Sequence, residues 1–143
     1  MAGLGILFWV SLVSAKTYLT DSNRLALKGY DPVVYFEENR TSPGSEYYQY
    51  EWSGAKWYFT SAGNKQKFLA SPEKYAPQYG GYCAYDMRQG TKTETDPEAW
   101  VIADDKLYLF HNSTVKAEWD KNREDNIKSA NEKWLAMTKE GKT

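Results

Sequence analysis

Apolar and polar positions alternate in short, heavily punctuated runs along this chain of 143 residues. The first run, Gly3–Val13, is shorter than the roughly 20 residues that cross a bilayer. It ends in small residues, with Val13 and Ala15 at the −3 and −1 positions of a cleavage after Ala15. Residues 1–15 are therefore expected to be a signal peptide, although their start carries no Lys or Arg. A buried N-terminal helix or a membrane anchor is the alternative. Residues 16–143 are expected to form one domain.

Val33–Phe36, started by Pro32, reads as a strand that closes in the loop "EENRTSPGSE". "YYQYEWSGAKWYFTS" reads as a β-hairpin turning at Ser53-Gly54. Ser61 is an N-cap for a helix over Ala62–Ala70 with Phe68 and Leu69 inward, and Ser71-Pro72 starts a further short turn of helix. "GYCAYDMRQG" reads as a short helix stopped by Gly90, and "AWVIADDKLYLFH" as a second hairpin turning at Asp104-Asp105. Helices are expected over Ser113–Asn122, with Val115 and Trp119 stacked, and over Asn126–Lys139. Ile127, Ala130, Trp134 and Met137 or Thr138 then share one stripe of the last helix. The pattern predicts an α+β fold: a small antiparallel sheet built from hairpins, packed against short helices and two C-terminal helices.

Composition narrows the function classes. The 18 basic and 19 acidic residues nearly cancel, and no Lys/Arg-rich run marks a nucleic-acid binder. No second apolar stretch approaches membrane-spanning length. Aromatics make up 16% of the chain, enough large rings to fill a small core while tyrosine hydroxyls reach polar partners. The single cysteine, Cys83, cannot cross-link its own chain. In an exported protein it is a buried inert thiol, an intermolecular link, or a reactive or ligating group.

The segments "GYDPVVYF", "WYFTSAGNKQKFLASPEKYAPQYGGYCAYDM" and "DPEAWVIADDKLYLF" together resemble the exported YHS-domain proteins, from about Leu27 through Trp134. The resemblance implies relation to YHS and TRASH-type metal-binding modules, often attached to heavy-metal transporters. Their pattern reads Asp-Pro-Val-Cys, then Tyr-Phe-Cys-Ser-x-x-Cys after the hairpin. Here Val34, Thr60 and Asn64 occupy the three cysteine positions. Soft metals are held by thiolates, so the implied fold carries over and the implied ligands do not.

Attention therefore turns to Cys83. If a helix begins near Gly81, Cys83 falls in its first turn near solvent, where unpaired N–H groups favour a thiolate. The two preceding glycines also let another backbone or a ligand approach closely. Cys83 and Met87 lie four residues apart, and His111 is the only histidine; together the three suit monovalent copper. Against this, free cysteines and methionines are commonly core residues, and His111 fits a strand end. As nucleophile and base, Cys83 and His111 match no cysteine-hydrolase spacing, so an enzyme is the third reading. Asn39 and Asn112 begin glycosylation sequons, Asn112 being also a helix cap. The expectation is a secreted or periplasmic, non-catalytic binding module for a soft metal such as copper through Cys83. The alternative is a protein- or glycan-interaction module with Cys83 structural or in an intermolecular disulfide.

Overall fold

The computed structural model describes residues 18–140, so the apolar run and the cleavage site after Ala15 lie outside the described residues. Chemistry at its two ends determines the first element. Asp31 Oδ1 accepts a hydrogen bond from the Val33 amide at 2.8 Å, and Pro32 takes the first helical position, where its missing N–H costs nothing. The result is helix α1, Pro32–Glu38, ended by Asn39 in the left-handed region (φ 51°). This corrects the strand expected over Val33–Phe36. A run of four apolar residues fits a strand or a helix buried on all sides, and Pro32 through Tyr35 are all buried.

The first hairpin pairs β1, Ser45–Trp52, with β2, Ala55–Phe59. Ser53 and Gly54 both have positive φ (52° and 78°), the two-residue turn whose twist matches the strands. Ala55, Trp57 and Phe59 alternate into the core. Helix α2 spans Ala62–Ala70, with Ser61 Oγ accepting from the Asn64 amide at 3.1 Å. Phe68 is buried, its ring 5.0 Å from that of Trp57. Leu69, expected inward, is 37% exposed, because consecutive helical residues point about 100° apart and only one faces the hairpin. Helix α3 is the short turn Pro72–Tyr75.

The second hairpin pairs β3, Asp96–Ala103, with β4, Lys106–Phe110, through Asp104 and Asp105 at φ 50° and 59°. The two hairpins form separate two-stranded sheets rather than one. The second is covered on both faces. Leu107 and Leu109 join one core with Trp57, Phe59 and Phe68, whereas Tyr108 and Phe110 join another with Met87 and Trp119. Strand alternation alone produces this division. The hairpin is thus a wall between two cores, and its near-continuous apolar sequence is what a strand buried on both faces requires.

Helix α4, Ser113–Asp120, is capped by Asn112, whose Oδ1 accepts from the Val115 amide at 2.9 Å. Helix α5, Arg123–Glu140, lays Ile127, Ala130, Trp134 and Met137 against the second core. That face packs on a 3-10 turn, Asp86–Gln89, which Gly90 ends at φ 76°. No helix among the described residues is long and apolar enough to cross a membrane.

Candidate functional site

Three features carry chemistry. The first surrounds Asp31, which is fully buried between α1 and α2. Its Oδ2 accepts hydrogen bonds from the Thr60 amide (2.8 Å), the Thr60 hydroxyl (3.0 Å) and Asn64 Nδ2 (2.9 Å). With the Val33 amide on Oδ1, four donors satisfy the carboxylate without a cation. Thr60 and Asn64 are two of the positions at which the resemblance implies thiolates, and the third, Val34, is buried and apolar. The donor set does not fit a soft metal: no thiolate is present, and Asp31 Oδ2 is already occupied by the Thr60 and Asn64 donors. Among the described residues, no group of three or more His, Cys, Asp or Glu side chains is placed to hold a metal ion.

The second feature is "GGYCAY". Cys83 is not in the first turn of a helix, nor near solvent. It precedes the Asp86–Gln89 turn and has no exposed surface. The positive φ values of Gly80 and Gly81 (63° and 86°) and the extended Tyr82 delay the turn. The Cys83 amide donates to the Thr93 carbonyl at 3.0 Å, and the Ala84 amide donates to Leu109 of β4 at 2.9 Å. These bonds lay the segment along the wall hairpin and turn the thiol inward. Met87 is buried in the same cluster, with Phe110 and Trp119. His111 is exposed and outside that cluster, its Nδ1 2.9 Å from the Glu94 carbonyl oxygen. The structure thus brings Cys83 and Met87 into one core and turns His111 away from it. Asn39 is exposed, and Asn112 is exposed with its Oδ1 used as a cap.

The third feature is a cleft of about 260 Å³ between the segment 18–28 and the turn 77–81, with Leu109 of β4 in its lining. Two runs of left-handed backbone reach its lining: Leu27 and Lys28 (φ 54° and 51°), which continue into Gly29 (85°), and Gly80 and Gly81 (φ 63° and 86°), which follow Tyr79 (56°). Holding a non-glycine residue there costs about 1–2 kcal/mol. The glycine pair signals close approach in the sequence. Nothing in the sequence marks Leu27 and Lys28, residues that ordinarily avoid this backbone. Asp31 was also missed as a hub; its signal is Asp-Pro at a helix start.

Residues 34–79 match the YHS domain family, so the chain contains a YHS domain. The match covers most of α1, the first hairpin, α2 and α3, and stops at Tyr79, where the second left-handed run begins. No curated protein and no solved structure gives a significant match.

Proposed function

We propose that this protein is an exported, non-catalytic binding module in which a closed hydrogen-bond network replaces the metal site implied by its family resemblance and Cys83 is structural. One observation carries the reading: Thr60 and Asn64, at two of the implied ligand positions, both donate to the buried Asp31 carboxylate. Export is supported by the apolar run Gly3–Val13 and the small residues before Lys16. The structural role of Cys83 is supported by its burial as a free thiol, out of reach of a second chain.

A second reading, a soft metal such as copper centred on Cys83, is favoured by the presence of Cys83 and Met87 in one buried cluster. Titration of the purified reduced protein with monovalent copper, read by native mass spectrometry, separates the two. The expected outcome is no bound metal, slow alkylation of Cys83 until the protein unfolds, and no change in melting on adding metal or chelator. Asp31→Ala should lower stability by about 2–4 kcal/mol with or without metal, because it strips several buried donors of their acceptor. Stoichiometric copper that Cys83→Ser abolishes would overturn the reading in favour of the second.

A further inference from the structure

We propose that the cleft between the two left-handed turns is a binding site for a small, uncharged, largely apolar molecule. The inference rests on reading the chain as a binding module, but not on whether it also holds a metal.

The walls are held in an unusual conformation by specific bonds. The Tyr30 amide donates to the Leu27 carbonyl at 2.9 Å, and the Tyr82 amide donates to that of Tyr79 at 3.1 Å. The Tyr79 hydroxyl, pointing away towards α5, donates to Asn131 Oδ1 at 2.8 Å. Left-handed leucine, lysine and tyrosine persist only where the surroundings over-determine them, and such residues cluster at ligand clamps. Here Leu27 and Lys28 of one run and Gly80 and Gly81 of the other line the same cleft. Gly81 lines this end at φ 86°, a backbone conformation that residues with a side chain rarely adopt.

The lining sets the ligand class. Its central polar groups are already used: the Thr95 hydroxyl donates to the Gly81 carbonyl at 2.6 Å, and the Leu19 amide donates to that of Gly80 at 2.8 Å. Asp21 Oδ1 accepts from the amides of Asn23 and Leu25. What remains for an occupant is the apolar surface of Leu19, Leu25, Leu27, Pro77, Pro97 and Leu109, which attracts through burial rather than direction. Charged lining residues are exposed and of both signs, Lys28 against Asp21 and Glu94, so the mouth selects no anion. At about 260 Å³ the cleft lies just below the range of about 300–1,000 Å³ for drug-sized ligands. Its occupant is correspondingly small.

The test is fluorescence titration of the purified chain with N-phenyl-1-naphthylamine, an uncharged apolar probe, and with its anionic relative 8-anilino-1-naphthalenesulfonate. One saturable site is expected for the uncharged probe, at least about ten-fold tighter than for the sulfonate. Leu25→Trp, which fills the cleft, should weaken binding about ten-fold or more. Ser22→Trp, on an exposed lining residue, should do the same if Leu25→Trp melts early. Tyr47→Ala, on the exposed face of the first hairpin, should leave binding unchanged. Absence of saturable binding, undiminished binding to a folded filling variant, or tighter binding of the sulfonate would overturn the proposal. Copper retention in the metal titration would leave each of these results intact, so the two readings fail separately.

Discussion

The core around Trp57 and the core around Trp119 meet back to back on the β3–β4 hairpin, and they solve the same problem differently. Both tryptophans are fully buried. Trp57 Nε1 donates to the Trp52 carbonyl at 3.0 Å, whereas Trp119 Nε1 has no partner among the described residues. The first core is bounded by a buried charge, Asp31, saturated by four donors. In the second region the buried polar side chain is neutral Asn126, donating to the Trp119 carbonyl at 2.9 Å. The family match covers β1, β2, α2, α3 and most of α1, and none of β3, β4, α4 or α5. Ring packing fills both cores, with Trp57 on Phe68 in one and Trp119 on Phe110 in the other; the first adds a buried carboxylate held by directional bonds.

The largest expected effects test whether the shared wall makes the two cores one cooperative unit. Trp57→Ala and Trp119→Ala should each cost about 3–5 kcal/mol. Both should lower a single denaturation transition, because Leu109 and Phe110 anchor adjacent positions of one strand in opposite cores. Two separated transitions in either variant would show that the wall does not couple them. Trp134 lies on the stripe expected from sequence, but it is only half-buried. Its substitution by Ala should cost about 1–2 kcal/mol, in proportion to the smaller area lost.

Much of this contrast was legible because local chemistry agrees with the fold. Ser53-Gly54 and Asp104-Asp105 occupy the hairpin turns, and Ser61 caps α2 as its side chain suggests. Illegible parts depend on distant partners. Val34, Thr60 and Asn64 can be recognised as departures from a cysteine pattern. That two of them converge on Asp31 is a tertiary fact spanning 29 and 33 residues. Cys83 was misplaced because "GYCAYDM" has helix-like content. The left-handed glycines before it and the bonds to Thr93 and β4 hold it out of the helix.

A subtler pair of substitutions sharpens the comparison of the two tryptophans. Trp57→Phe removes ring volume and the hydrogen bond from Trp57 Nε1 to the Trp52 carbonyl. Trp119→Phe removes similar volume but also removes a buried donor that no acceptor satisfies. A buried unsatisfied group carries about 1–3 kcal/mol, so Trp57→Phe should be the costlier change by roughly that amount. Equal losses, measured by denaturant midpoint at a common slope, would mean that the Trp119 N–H finds a water or another partner in solution.

The smallest effect concerns where each half of the molecule keeps its charge. In the second half, Asp120 lies at the surface, bonded by Lys116 Nζ at 2.9 Å and by Arg123 at 2.9 and 3.1 Å. Partial burial works to raise the Asp120 pKa, but the bonds and charges of Lys116 and Arg123 outweigh it and hold the carboxyl below its ordinary value. A lowered folded-state pKa contributes stability that is present above the unfolded value of about 3.9 and lost as pH falls through the folded one. Solvent screening limits the gain to a few tenths of a kcal/mol. Asp120→Asn should therefore destabilise slightly at pH 7, with the difference from wild type vanishing near pH 2 and shrinking in about 1 M salt. The loss from Asp31→Ala, made of buried hydrogen bonds, should persist in that salt. A salt-insensitive Asp120→Asn loss would place its contribution in packing or capping instead of charge.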